Sequence, residues 1–193
     1  MFKGCISMEI EQFSVENKGY LPQIRELYQN GLDGMFRFYS SDVHDRVIDM
    51  RDDDFFDGLI ERDGLYLAVN DGRLEGVLEN GNMQDGGVEI GLITWVLASN
   101  KGNGVGTSLI NHYIDDCKGQ KDIISLMVHK DNRAYGLYEK LGFIEVGEKD
   151  DFYFMGKGIS KKGRERINSI VWRKIVNKLG IDFDGVLDGV SLE

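Results

Sequence analysis

The feature that most constrains the fold is a glycine-rich turn that joins a long apolar run to an amphipathic segment. The run at 88–98 is typical of a buried strand, and residues 105–117 carry apolar side chains at helical spacing. Between them, glycine stands at alternate positions, Gly102, Gly104 and Gly106, which lets the backbone come close to a ligand. Amide groups at such a helix start suit a pyrophosphate, although a plain strand-to-helix turn is an equally simple interpretation.

Length and composition indicate one soluble domain with a short appendage. Of the 193 residues, 41% are hydrophobic, which is typical of a globular protein. No apolar run approaches the ~20 residues of a membrane span, and the first residues do not resemble a signal peptide, so we expect a cytoplasmic protein with no membrane partner. The net charge of -10 argues against nucleic acid and favours a neutral or cationic partner. Cys5 and Cys117 are too few for a zinc cluster, and the three histidines lack metal-ligand spacing, so no metal is predicted.

The hydrophobic pattern elsewhere predicts a mixed α/β domain around one sheet. Alternating or short apolar runs indicate six further strands, with turns expected at 70–72 and 80–82. The predicted strands are 8–14, 65–69, 74–79, 123–128, 143–146 and 152–155. Helices are predicted to begin near Leu21 and shortly after Asp131, which stands where a helix N-cap is expected.

A strongly acidic helix is predicted at 41–62. Its acidic residues are Asp49, Asp52, Asp53, Asp54, Asp57 and Glu61. The simpler interpretation is a solvated helix face, and the alternative is an acidic rim that binds a cationic substrate.

The end of the chain differs in character from the rest. We predict a domain at 1–156, followed at 157–193 by a basic amphipathic helix and an acidic tail. Packing of this helix on the domain or on a second subunit is the simpler interpretation, which leaves a homodimer open. Contact with nucleic acid or a membrane surface is the alternative.

Two motifs resemble those of the GNAT superfamily of N-acetyltransferases. Lys101-x-x-Gly104-x-Gly106 is similar to the Arg/Gln-x-x-Gly-x-Gly/Ala signature, with lysine at the first position. Residues 131–143 are similar to Asn-x-x-Ala-x-x-Leu-Tyr-x-x-x-Gly-Phe, with Asp131 at the asparagine position. The glycine spacing matches neither a dinucleotide-binding fold nor a P-loop. The resemblance extends roughly over residues 8–157.

The resemblance implies a central, mostly antiparallel sheet whose fourth and fifth strands splay apart to admit the pantetheine arm of acetyl-CoA, with a C-terminal helix added. It implies acetyl-CoA as the acetyl donor. Main-chain amides of the turn would hold the pyrophosphate, and the end of the preceding strand would bind the pantetheine and the thioester carbonyl. The residues expected to bind the donor are Trp95, Val96, Leu97, Lys101, Gly102, Asn103, Gly104, Val105, Gly106, Thr107 and Asp131.

The resemblance also suggests an N-acetyltransferase in which a primary amine attacks the thioester directly within a ternary complex. Glu89 is the candidate base, although it lies one residue from the position that the family usually uses, and a surface glutamate is the alternative. Tyr138 matches the tyrosine that protonates the departing thiolate, and it also lies on an apolar stripe. The acceptor would be a small-molecule or peptide amine, possibly cationic. The alternative function is a non-catalytic acyl-CoA-binding or regulatory module.

Overall fold

The computed structural model describes residues 8–35, 53–100 and 102–169, and their strands form one seven-stranded sheet. The strands are β1 (Glu9–Gln12), β2 (Leu65–Asn70), β3 (Arg73–Asp85), β4 (Val88–Ala98), β5 (Ile123–His129), β6 (Ile144–Lys149) and β7 (Phe152–Gly158). Their order in the sheet is β1-β2-β3-β4-β5-β7-β6. The β4–β5 pair is parallel and every other neighbouring pair is antiparallel. The predicted mixed α/β fold with a mostly antiparallel sheet is confirmed.

Helices cover both faces of the sheet. The α-helices are α1 (Leu21–Met35), α2 (Asp53–Glu61), α3 (Val105–Asp116), α4 (Tyr135–Lys140) and α5 (Lys161–Arg166), and short 3-10 helices occupy Val15–Tyr20 and Ile167–Ser169. Of the acidic helix predicted at 41–62, residues 53–62 fall within the described chain, and α2 occupies nine of them. Positions Asp49 and Asp52, like residues 170–193 of the basic segment, lie outside it.

One core lies between the sheet and helices α1 and α2. This α1-side core contains Ile24 and Tyr28 of α1 and Phe56 of α2. Leu65 and Leu67 of β2 face the same core. Because successive strand residues point to opposite faces, a strand that is apolar at consecutive positions must be covered on both sides.

A second core lies between the sheet and helices α3 and α4. This α3-side core contains Leu109 and Tyr113 of α3 and Phe143, which follows α4. Tyr66 and Ala68, the β2 residues between those of the α1-side core, belong to it. The central strands are therefore buried on both faces, which holds the functional elements on a rigid support.

The predicted turn at 80–82 is wrong, because β3 continues through these residues. Asn80 pairs with Ile93, and its side-chain amide donates a hydrogen bond to the carbonyl oxygen of Asp63 at 3.1 Å. The chain instead turns at Gly86 and Gly87, where φ is 55° and 77°. The local composition favours a turn, but pairing with β4 satisfies the backbone groups and overrides it.

The predicted N-cap at Asp131 is also wrong. Helix α4 has Ala134 as its N-cap, with no side-chain capping hydrogen bond. The side-chain oxygen of Asn132 accepts a hydrogen bond from the Ala134 amide at 2.9 Å, while the Asp131 amide donates to the ring of His129 at 3.1 Å. An asparagine turn therefore leads into the helix, since such side chains bond readily to the backbone two residues on.

The described part of the basic segment packs on the sheet, close to Asp122. The Asp122 carboxylate accepts hydrogen bonds from the Ser160 hydroxyl at 2.6 Å and the Glu89 amide at 3.1 Å, and it lies 3.0 Å from the Lys162 ammonium. Burial opposes ionisation, but these partners together lower the pKa of the Asp122 carboxyl. A Cβ atom on Gly163 would lie 1.8 Å from the Asp122 carbonyl oxygen, so the two backbones are in close contact.

Within residues 8–35, 53–100 and 102–169, no helix combines the length and the hydropathy that crossing a membrane requires.

Candidate functional site

The sheet divides between β4 and β5, and the candidate site lies in this split. The two strands pair only from Ile90 to Ile93, against Ile123 to Leu126. Beyond that point β4 still pairs with β3 as far as Ala98, and β5 still pairs with β7. After Ile93, the β4 backbone groups on the side away from β3 pair with no strand within the described residues. Such an edge can hydrogen-bond an extended ligand with amide groups.

A β-bulge at Thr94 marks the point where the strands separate. Trp95 lies opposite Glu79 and Ile93 lies opposite Asn80, which leaves Thr94 as the extra residue on β4. The bulge shifts the alternation of side chains, so that Ile93 belongs to the α3-side core while Trp95 packs against the α1-side core. Thr94 is exposed although β4 is a central strand, because the bulge opens the sheet there.

The donor-binding residues predicted on β4 lie on the open part of the strand. Val96 packs against the α3-side core, and Leu97 is buried in the α1-side core. Trp95 is half-buried. Since these side chains are directed into the two cores, the backbone is the part of this segment that can contact a ligand.

The glycine turn begins helix α3 beside that open edge. Gly102 and Gly104 have φ values of 92° and 81°, which favour glycine. Gly104 is the N-cap and makes no side-chain capping bond, so the first amides of the helix, at Val105, Gly106 and Thr107, are not capped by its side chain. These amides and the helix dipole can bind an anion.

The remaining predicted donor-binding residues lie at the same end of the split or outside the described chain. Asn103 is exposed in the turn, and Asp131 is exposed just after β5. Because β4 and β5 are parallel, their carboxyl ends lie at the same edge of the sheet, which brings Asp131 and the glycine turn to the same end of the split. Lys101 lies outside the described residues.

Tyr138 lies on α4 and packs against the α3-side core, to which Val96 also contributes. Its ring is 5.9 Å from that of Phe143 in an edge-on arrangement. Burial raises the pKa of Tyr138 to about 12. The hydroxyl is therefore protonated at neutral pH and can act as a hydrogen-bond donor.

Glu89 lies at the start of β4, where it pairs with Gln84 of β3, one residue before the pairing with β5 begins. Its carboxylate accepts a hydrogen bond from the Gln84 side chain at 2.6 Å. Thr94 follows five residues later. At the usual strand rise, roughly 16 Å separates the two positions. The structure therefore does not bring Glu89 together with the open part of β4.

Sequence reasoning missed Glu79, a buried carboxylate at the split. The residue is 7% exposed. One carboxylate oxygen accepts a hydrogen bond from the Tyr28 hydroxyl at 2.5 Å, and the other accepts one from the Thr94 hydroxyl at 3.1 Å. The signal that could have found it is periodicity, because Glu79 is in phase with the inward-facing Val77.

Two of the four acidic residues of α2 form ion pairs at the surface. Asp53 lies 2.5 Å from Arg25, and Asp57 lies 2.6 Å from Lys18. These pairs favour the solvated helix face over the acidic rim. Among the residues that the structure describes, no group of three or more potential ligands could hold a metal ion.

Cys117 is the one cysteine within the described chain, and it is buried. Burial is the largest influence on its thiol and raises the pKa of Cys117. A buried, protonated thiol is a poor nucleophile.

Comparison with known proteins agrees with this architecture. Residues 52–158 match the family model described as an acetyltransferase (GNAT) domain. No curated protein sequence is significantly similar to the chain.

Solved structures with the same fold include acetyltransferases that contain CoA. PaiA N-acetyltransferase from Thermoplasma acidophilum, in complex with coenzyme A, superposes with a TM-score of 0.65 at 17% identity, over 79% of this chain and 99% of that one. YncA from Salmonella typhimurium, with its cofactor acetyl-CoA, superposes with a TM-score of 0.58 at 19% identity, over 80% of this chain and 95% of that one. The NatC complex bound to a Gag peptide and CoA superposes with a TM-score of 0.59 at 16% identity, over 80% of this chain and 99% of that one.

Proposed function

This chain belongs to the GNAT acetyltransferase family, and on that premise we propose that it transfers the acetyl group of acetyl-CoA to a primary amine. The observation that carries the proposal is the split between β4 and β5, with the glycine turn at its carboxyl end. An opening of this kind can hold an extended pantetheine chain and place the thioester near Thr94. Amine and thioester would then meet in a ternary complex, and the amine would attack directly.

The donor would be held mainly by backbone groups. Open amide and carbonyl groups of residues 95–97 are suited to the amides of pantetheine, and the amides of residues 102–107 are suited to the pyrophosphate. PaiA and YncA, with CoA and acetyl-CoA bound in the same fold, support this assignment. Lys101 and Asp131 would lie near the phosphates, Lys101 as a cation and Asp131 as a residue whose charge weakens binding.

Two groups would stabilise the charges that develop during the reaction. An amide of the β4 end donates to the thioester oxygen, an interaction whose removal typically costs ~3 kcal/mol. Tyr138 donates the proton of its hydroxyl to the sulfur as the carbon–sulfur bond breaks. Burial raises the pKa of Tyr138, and it also disfavours a free CoA thiolate at the same place. The pKa values of the phenol and of the thiol therefore shift in the same direction.

The acceptor must lose a proton before it attacks, because an alkylamine with a pKa of ~10.4 is protonated at neutral pH. Glu89 is the base predicted from sequence. Its place at the start of β4, at the other end of the strand from the open segment, requires a chain of water molecules for such a role. The Glu89→Gln variant tests it, since a large loss of kcat with alkylamines at unchanged acetyl-CoA affinity would support Glu89.

Calorimetry and an amine panel test the proposed function. We expect acetyl-CoA to bind to the protein and free thiol to be released with at least one amine from a panel of polyamines, aminoglycosides and peptides. The absence of acetyl-CoA binding at millimolar concentration would contradict the donor assignment. Binding without turnover on any amine would favour the non-catalytic acyl-CoA-binding module. The NatC structure with its bound peptide supports including peptide amines in the panel.

A further inference from the structure

We propose that Thr94 and Glu79 form the acceptor subsite, in which the Thr94 hydroxyl binds the ammonium group and relays its proton to Glu79. This inference rests on the proposed function, because it identifies the group that prepares the amine for attack. It assigns the step to a buried carboxylate on β3 instead of to Glu89. The substrate class that it requires is a protonated primary amine.

Thr94 lies at the point where the sheet opens. A threonine in a central strand is normally covered by its neighbours, but Thr94 is the bulged residue and is exposed. It stands immediately after Ile93, the last β4 residue to pair with β5. The hydroxyl therefore lies at the point where the split opens, beside the place proposed for the thioester.

The Thr94 hydroxyl is oriented by its hydrogen bond to Glu79. It donates its hydrogen to Glu79 at 3.1 Å, which leaves the lone pairs of the oxygen for another donor. An ammonium group supplies such a donor. Because Glu79 is also bonded to Tyr28 of α1, the hydroxyl is on the α1 side of the sheet, whereas the glycine turn begins α3 on the opposite side. Acceptor and donor would thus enter from different faces and meet at the split.

The Glu79 carboxylate is held in place by two hydrogen bonds. Its two oxygens are held by hydroxyl groups from two elements, Tyr28 at 2.5 Å and Thr94 at 3.1 Å. Tyr28 is itself 2% exposed and packs edge-on against Phe56, with ring centroids 6.1 Å apart. A buried carboxylate is costly, and apolar side chains could fill such a place at no such cost. A carboxylate held one hydroxyl away from an opening in the sheet is suited to accepting a proton.

The ammonium nitrogen loses two protons in the proposed reaction. One N–H proton of the ammonium moves to the Thr94 oxygen while the hydroxyl hydrogen moves to Glu79, which leaves a neutral amine, an intact hydroxyl and a carboxylic acid. The nitrogen lone pair forms the carbon–nitrogen bond and the carbon–sulfur bond breaks. Tyr138 protonates the sulfur, and the second proton lost from nitrogen replaces that of Tyr138 through solvent. Glu79 returns its proton to solvent after the products leave.

The decisive experiment compares two acceptors in variants of the relay. Spermidine is protonated at neutral pH, whereas aniline is not and needs no base before it attacks. General-base catalysis typically contributes 10²–10⁴-fold. We therefore expect Glu79→Gln and Thr94→Val to lower kcat/KM for spermidine by about 100-fold. For aniline we expect the same variants to lower kcat/KM by less than about fivefold, because aniline needs no base before it attacks.

Matched variants separate the relay from folding and from donor binding. Glu75→Gln changes a carboxylate on the same strand that bonds to Ser99 outside the relay, and it should leave both rates unchanged. Thr94→Ser keeps the hydroxyl and should retain most activity. The double variant Glu79→Gln/Thr94→Val should be no slower than either single variant. Acetyl-CoA affinity, measured by calorimetry, should be the same in all of them.

Two results would overturn the inference, and they are distinguishable. If the wild-type protein is active, two outcomes would contradict the relay and leave the acetyltransferase proposal intact. One is an equal loss of kcat/KM with spermidine and aniline, and the other is relay variants that are as active as Glu75→Gln. A wild-type protein that binds acetyl-CoA but acetylates neither amine nor any other of the panel would contradict the proposed function, and the relay with it. If Glu79→Gln does not fold, Thr94→Val, which preserves shape, decides the matter.

Discussion

The hydroxyl of Tyr28 lies 2.5 Å from the carboxylate of Glu79, and this bond joins helix α1 to the strand beside the split. Tyr28 and Glu79 are 51 positions apart in the chain. Both are buried, so neither group can exchange this partner for bulk water without disturbing the α1-side core.

Tyr28→Phe should therefore destabilise the protein. Removing the hydroxyl leaves one side of a buried carboxylate without that donor, which typically costs about 1–3 kcal/mol. Urea denaturation measures the loss. Tyr153→Phe is a control on a tyrosine that packs against Lys130 and Tyr135 with its ring, and it should cost clearly less. Equal losses in both variants would contradict a special role for the Tyr28 hydroxyl.

Gly104→Ala should weaken acetyl-CoA binding. Gly104 has a φ of 81° at the helix start, and an L-residue there costs ~1–2 kcal/mol or moves the amides of the turn. Gly119 offers a matched control, because its φ is 82° and an added Cβ meets nothing within 4 Å at either glycine. Both alanine variants should lose similar stability in thermal denaturation, but only Gly104→Ala should lose donor affinity in calorimetry.

Tyr138→Phe should lower kcat by roughly 10–100-fold while the dissociation constant of acetyl-CoA stays the same. Because burial raises the pKa of Tyr138 to about 12, the phenol keeps its proton at all pH values well below 12. The wild-type rate should therefore show no decrease due to this group between pH 7 and 10. A decrease in that range that disappears in Tyr138→Phe would contradict this prediction.

Asp122→Asn should weaken the attachment of α5 and the preceding Ser160 to the sheet. The carboxylate accepts bonds from Ser160 and from the Glu89 amide, and its loss should cost about 1–3 kcal/mol at pH 7. Because the pKa of Asp122 is lowered in the folded state, this stabilisation is present above the unfolded value of ~3.9 and is lost as the pH falls below it. Urea denaturation should show that the difference in the free energy of unfolding between wild type and variant is smaller at pH 3 than at pH 7.

A surface aspartate provides the comparison for that experiment. Asp115 pairs with Lys118 at 2.5 Å, and both side chains are exposed. Asp115→Asn should leave the denaturation midpoint at pH 7 unchanged, since exposed ion pairs contribute little. A loss equal to that of Asp122→Asn would indicate a general charge effect instead of the specific bonds of Asp122.

Much of the fold could be predicted from the sequence where local signals are strong. The predicted strand at 88–98 and the helix start at 105 coincide with β4 and α3, because a long apolar run and left-handed glycines are local properties of the chain. Predictions based on polar turn residues were less successful. At 80–82 pairing with β4 prevailed over turn composition, and after β5 Asn132 instead of Asp131 bonds into the turn.

The sequence by itself determined the mixed α/β class, the glycine turn and the two motifs that place the chain in its family, because each depends on residues close together in the chain. Only the tertiary structure decided which carboxylate lies at the split. Glu89 and Glu79 are both strand glutamates, and no local pattern distinguishes their distance from the opening. A single bulge at Thr94 and a hydroxyl from α1 place Glu79 there, since strand register and helix packing depend on contacts between distant segments.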